Sequence, residues 1–334
     1  MSAAVNATID YLENLTDDIR FSFGLFNLII GLVSNLCLIT ILTNVRVFNK
    51  NPSSFYLIVE SYSNIGLLII ICTSRLSINI LNYDLSRYSI AWCKTRYGLA
   101  QFFGLFSLFT ICFTTIDQYF STNHRFYIRQ LSTMKYAYVF IVLTLCLSSI
   151  HGFLFVIYSE IRPSLFGCSI YDEVLKKYLS YVYYPLISNA LPLFITITFS
   201  LLSYRNVRRI IRKQIPLIRR QLDQQLTAMV LSRVISLILF GLPYIIETVY
   251  QMNVKIKENS VKSKIVLLVG AISDSLLYTN FSINFYLFLT ISARFRHQVK
   301  HFIRKIACVK PKKFKNNRIY LRTNTVNALI LESV

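Results

Sequence analysis

A chain of 334 residues in which 54% are hydrophobic and only 15% charged lies outside the composition of soluble globular proteins. Its formal net charge of +21 comes from 36 Lys and Arg against 15 Asp and Glu. Those cations cluster beside apolar runs, so they read as topology signals and contacts with anionic lipid, and nucleic acid is excluded as a partner.

In chain order, seven apolar stretches occupy about 22–44, 54–78, 94–121, 136–158, 179–204, 225–250 and 264–291. A helix needs roughly 20 apolar residues to cross a bilayer. Backbone groups in lipid must be paired within the segment, so the spans are expected to be helices packed as an up-down bundle. An odd number of spans puts the chain ends on opposite sides. The loop after the first span, those near Arg125, Arg129, Arg208 and Arg209, and the C-terminal tail hold most of the cations. The other face holds most of the acids, among them Asp10, Glu13, Asp17 and Asp172. Cationic loops stay in the cytoplasm, so the N-terminus is expected outside and the C-terminus inside. The expected organisation is an extracellular tail over 1–21, the bundle over 22–292, an amphipathic helix over 293–307 and a basic cytoplasmic tail over 308–334.

The N-terminal segment has no apolar core typical of a cleaved signal. It contains two N-x-T acceptors, at Asn6 and Asn14, on the side expected to be glycosylated. Of seven cysteines, Cys37, Cys72, Cys112 and Cys146 fall within spans as small apolar residues. Cys93, at the outer end of the third span, and Cys168, in the longest outer loop, both face an oxidising compartment and are expected to form a disulfide. Cys308, just beyond the last span, is a candidate for acylation. Pro192 and Pro243 lie inside the fifth and sixth spans and should kink them, either as hinges or simply as prolines that membrane helices tolerate. After the seventh span, Phe295, Val299, Phe302, Ile303 and Ile306 share one helical face and cations take the rest, the pattern of a helix lying in the membrane interface.

Several local motifs, taken in order, are similar to those of rhodopsin-like (class A) G-protein-coupled receptors over roughly residues 20–308. Gly31 and Asn35 resemble the family's G-x-x-x-N. Asp117, Gln118 and Tyr119 follow Cys93 at the separation of its D-R-Y triplet. Leu242, Pro243 and Tyr244 resemble C-W-x-P-Y. Asn284-Phe285-Tyr286-Leu287-Phe288 stands in place of N-P-x-x-Y. The resemblance implies an all-α seven-transmembrane bundle with a short amphipathic eighth helix, an extracellular ligand, and a heterotrimeric G protein at the cytoplasmic face of the plasma membrane.

The departures matter too. Asn64 replaces the family's aspartate in the second span. With Asn35, Ser107, Asn280 and Asn284 it should form a polar core cluster, either a functional network or simple glue between helices. Without that carboxylate the family's sodium ion loses its compensating charge, so none is expected. Gln118 replaces the arginine that relatives pair with an acid at the foot of the sixth helix. That acid is Asp223 here, and a Gln–Asp contact is one bond where Arg–Asp is bidentate. Gly241 replaces the toggle tryptophan and Phe285 the family's proline.

Ala100 stands where amine receptors carry their aspartate, so a monoamine is disfavoured. Ionisable groups inside spans are costly and default to functional candidates. Arg75, Glu247 and Asp274, joined by Gln101 and Tyr250, are read as the ligand pocket, with an Arg75–acid pair that only knits the bundle as the alternative. A pocket with both signs suits a peptide or zwitterion. Glu60, near the inner end of the second span, is read as snorkelling inward, with no partner assigned. A transporter is disfavoured by the odd span count and the lack of repeated halves. An enzyme is disfavoured because no nucleophile motif or metal-spaced cluster is present, so no cofactor and no metal are expected.

Overall fold

The computed structural model describes residues 2–45, 48, 51–81, 88–162, 167–210, 217–254 and 260–306; side chains are omitted at some segment ends, including residues 75–81. Among these, seven helical segments are long and apolar enough to cross a membrane: Val5–Asn44, Pro52–Ser74, Ile90–Thr122, Met134–Tyr158, Glu173–Arg209, Leu222–Gln251 and Val261–Ser282. They pack as neighbours, the third span touching the second, fourth, fifth and sixth. Large apolar side chains such as Val139, Val142, Ile150 and Phe153 of the fourth span are exposed. In water such a surface would be a liability; in lipid it is the solvated face.

The first helix is longer than expected. It runs Ser2–Asn44, 43 residues. At about 1.5 Å per residue that is about 64 Å, twice the roughly 30 Å hydrocarbon core. No Gly or Pro precedes Gly24 to interrupt it. Glu13 also pairs with Lys264 at the start of the seventh span, at 2.8 Å. Asn6 and Asn14 therefore sit exposed on a helix and not in a loop. The Thr16 hydroxyl of the second acceptor is buried and donates to Leu12 O at 2.7 Å.

Two spans deviate from regular α geometry. The fifth begins as Glu173–Tyr178, widens to a π-helical stretch over Leu179–Ala190, and returns to α geometry at Leu191–Ile210. Pro185 lies within the wide stretch and Pro192 just after it. Proline has no N–H to donate, and a wide turn is one way for the ladder to absorb the loss. The seventh span ends at Ser282 and restarts as Asn284–Ile291. The break occurs although Phe285 is not proline. Its Phe285 N–H is satisfied from outside the helix, by Ser34 Oγ at 3.1 Å. The first span supplies further bonds to the same region: Asn27 Nδ2 donates to Ser275 O at 3.3 Å, and Ser282 Oγ donates to Asn27 O at 3.0 Å.

Between the fourth and fifth spans, strands β1 (Ser159–Arg162) and β2 (Gly167–Ile170) form an antiparallel hairpin with Ile161 opposite Cys168. Cys168 is disulfide-bonded to Cys93, with Cα atoms 5.6 Å apart. Ser89 caps the third span by accepting from Trp92 N at 3.2 Å, which fixes the turn that carries Cys93.

A last helix, Ala293–Ile306, follows the seventh span. Phe295 was expected in the acyl boundary. It is fully buried in an aromatic cluster with Phe48, Phe285 and Phe288, at centroid distances of 5.9–6.3 Å. Arg296 Nη1 donates to Leu289 O and Thr290 O, both at 2.8 Å, closing the free carbonyls that end the preceding helix. The bundle unit ends at Arg296, and residues 297–306 belong to a second unit. There Val299, Phe302 and Ile303 alternate with Lys300, Arg304 and Lys305 at helical spacing. Cys308 and the tail lie outside the described residues.

Candidate functional site: a cavity above a polar core

A cavity with a volume of about 750 Å³ lies beneath the hairpin, with Cys168 and Ser169 in its wall. That size suits a drug-sized ligand. Of the expected pocket residues, Gln101, Glu247 and Asp274 line it and Tyr250 does not. Tyr250 is 40% exposed, at the edge of the face that carries Glu247. At three residues from Glu247 it starts on the same side of the helix, yet Gln251, one residue further on, reaches the cavity in its place. Arg75 lies on the second helix with its side chain outside the described ones.

The cavity recruits residues that sequence reasoning missed. Tyr183 OH donates to Gln101 Oε1 at 2.7 Å, and Gln101 Nε2 donates to Tyr184 OH at 3.4 Å. Both tyrosines sit on the π-helical stretch, whose extra width no motif announces. Two cations are in the wall, Arg20 of the first helix and Arg96 of the third. Arg96 Nη1 donates to Ser74 Oγ at 3.1 Å, and its guanidinium lies 4.8 Å from the Tyr97 ring. The two acids face each other from the sixth and seventh spans, close enough for the charge of Asp274 to act on Glu247. Gln251 donates to Glu247 Oε1. Gly270 makes room for this pair: a Cβ there would stand 2.8 Å from Glu247 Oε1. Towards the bundle centre the cavity becomes apolar. A Cβ at Gly104 would meet nothing within 4 Å, and one at Gly241 only Leu237, at 3.8 Å. The absence of a large residue at Gly241 therefore opens the floor.

The expected polar core cluster resolves into two hydrogen-bonded groups. In one, Ser107 Oγ donates to Asn64 Oδ1 at 2.7 Å and Asn64 Nδ2 donates to Asn35 Oδ1 at 3.4 Å. Asn35 Nδ2 bonds the carbonyls of Gly31 and Phe281. The other group is built around a residue not anticipated, Arg233 of the sixth span. Its Nε lies 2.8 Å from Glu60 Oε1, and both side chains are 1% exposed. Arg233 Nη1 and Ser236 Oγ both donate to Asn280 Oδ1, and Asn284 Nδ2 donates to Glu60 Oε1 at 3.1 Å. Glu60 thus does not snorkel; it has a buried cationic partner. A visible signal was one unpaired acid in the second span and one unpaired cation in the sixth.

At the far end of the bundle, Asp117 is buried and accepts from Ser53 and, at 2.7 Å, from Ser132. Tyr119 packs edge-on to Phe199, with centroids 5.5 Å apart. The expected Gln118–Asp223 bond is not made. Gln118 Oε1 accepts instead from Thr227 Oγ1 at 3.2 Å, one turn along the helix from Asp223. Gln118 Nε2 has no hydrogen-bond partner among the described residues. A glutamine is shorter than an arginine and meets the nearer turn.

No curated protein matches the chain closely enough to be reported as a relative. The model of the 7 transmembrane receptor (rhodopsin family) matches residues 34–285, from the first span to the seventh. A match over three-quarters of the chain, on a bundle with this cavity and this disulfide, places the protein in the rhodopsin family of seven-transmembrane receptors, which are not enzymes.

Proposed function

We propose that the protein is a plasma-membrane G-protein-coupled receptor for a peptide-like, charged ligand, with its N-terminus outside and its basic loops facing a heterotrimeric G protein. The observation that supports this reading best is the cavity wall. It carries acids on the sixth and seventh spans and cations on the first and third, over an apolar floor. A ligand with a cationic group beside Glu247 and Asp274, an anionic group near Arg96, and an apolar body reaching Gly241 would satisfy all three zones. Each charge is then met by an opposite one in a low-dielectric site, where pairing is strong and mispairing costly. Ala100 lies in the same wall and offers no acid to a monoamine. In this reading Cys93–Cys168 holds the hairpin at the cavity mouth. Asn6 and Asn14 remain the glycosylation candidates.

A peptide-library screen read by calcium and cyclic-AMP responses tests the assignment. Responses to charged peptides that vanish in Asp274→Asn at normal surface expression support it. Responses confined to neutral lipids overturn it. Antibody access to an N-terminal tag on intact cells supports the orientation, and access only after permeabilisation reverses it.

A further inference from the structure

We propose that the Glu60–Arg233 ion pair is the latch that holds the foot of the sixth helix against the bundle, in place of the Gln118–Asp223 contact. Three observations lead there. First, the pair is closed from solvent at 1% exposure on both sides, with a 2.8 Å contact. A charge there with no partner would be strongly destabilising, so pulling the two charges apart is costly and the pair resists it. Second, the pair bridges helices that otherwise share little packing. The sixth span packs chiefly on the fifth and seventh, and Arg233 reaches across the core to the second. Third, both partners are tied to the seventh span, Arg233 to Asn280 and Glu60 to Asn284. The cluster therefore joins three spans at one point, on either side of the break at Ile283.

Its position along the helix makes it a latch and not only a strut. Pro243 interrupts the ladder of the sixth helix ten residues beyond Arg233. Ten residues are about 15 Å of helix, so rotation about a proline hinge displaces Arg233 sideways by several ångströms. A side chain already extended to the second span cannot follow that motion and keep its bond. At the foot itself Gln118 contributes one neutral bond, to Thr227, and its amide nitrogen has no partner among the described residues. The proposal rests on the receptor reading only in taking the sixth helix as the moving element.

The test reads conformation directly, so its failure is distinct from failure of G-protein coupling or of ligand assignment. The full chain is placed in phosphatidylcholine nanodiscs with genetically encoded spin labels at His124 and Gln224, near the ends of the third and sixth helices. Pulsed electron resonance gives the distance distribution without ligand. Glu60→Gln and Arg233→Met each leave one charge buried and are expected to fold poorly. The double variant Glu60→Gln/Arg233→Met removes both and keeps the fold. In it the longer-distance population is expected to rise by about tenfold or more over wild type. Thr227→Val, which removes only the Gln118 contact, should move the distribution less. An unchanged distribution in the folded double variant, with only a lowered unfolding temperature, makes the pair structural and overturns the proposal. So does a larger shift in Thr227→Val than in the double variant.

Discussion

In the cavity half of the bundle Glu247 and Asp274 face about 750 Å³ of open volume, with polar neighbours close at hand; in the half below it Glu60 is closed against Arg233 at 1% exposure. Both regions place ionisable groups inside a membrane protein, where charge is expensive. They meet the cost differently. The core supplies the opposite charge from within the chain and adds one hydrogen bond to each partner, Asn284 donating to Glu60 and Arg233 donating to Asn280. The cavity brings charges of both signs into one open wall, with Arg20 within electrostatic reach of Glu247. An internally paired charge fixes geometry; a charge facing open volume is available for recognition. Mutations that remove charge should therefore damage folding in the core and ligand response in the cavity.

The largest effect should come from breaking the core pair one side at a time. Arg233→Met leaves Glu60 buried and uncompensated and should cost roughly 3–5 kcal/mol, with the double neutral variant much closer to wild type. Thermal unfolding in detergent checks this, and equal losses in single and double variants would remove the distinction between the regions. Next comes the disulfide. Cys93→Ser should cost about 2–4 kcal/mol and retain the protein inside the cell, since the bond closes a loop with a sequence separation of 75 residues. Normal surface expression of Cys93→Ser would show that the hairpin holds its place by the β ladder alone.

In the cavity, Asp274→Asn should weaken an identified charged agonist by tenfold or more, about 1.4 kcal/mol or above, while unfolding temperature changes little. A dose–response curve beside a melting curve separates the two. A large melting shift with unchanged potency would class Asp274 with the core. The smallest effect is expected at the foot. Thr227→Val removes one neutral bond to Gln118, worth about 0.5–1.5 kcal/mol. Ligand-free signalling should rise slightly, and a rise as large as that of Glu60→Gln/Arg233→Met would make the Gln118 contact the dominant restraint.

Much of the architecture was legible from local pattern. The fourth span, expected at 136–158, is Met134–Tyr158, because an uninterrupted apolar run bounded by polar loops leaves a helix little choice. The Cys93–Cys168 bond follows from two cysteines on one side of the membrane. The first helix was expected twenty residues too short. Hydropathy marks where lipid begins, not where a helix begins, and Ser2–Phe21 continues without a breaker. Asn35, Asn64 and Ser107, grouped by the resemblance, are joined by hydrogen bonds.

What the sequence determined by itself, then, is what depends on neighbours along the chain and on the bilayer: seven spans, their apolar faces, the cysteine pair, the family. Which groups from distant spans meet is settled by packing alone. Glu60 and Arg233 are 173 positions apart, and nothing local distinguishes a carboxylate that snorkels from one that meets a guanidinium. Gln118 was matched to Asp223 by analogy with a longer side chain, and its own reach ends at Thr227. Tyr183 and Tyr184 meet Gln101 from the π-helical stretch of the fifth span. Side-chain length, helix rotation and a widened turn set these contacts to within an ångström, and such displacements leave no trace in hydropathy or spacing.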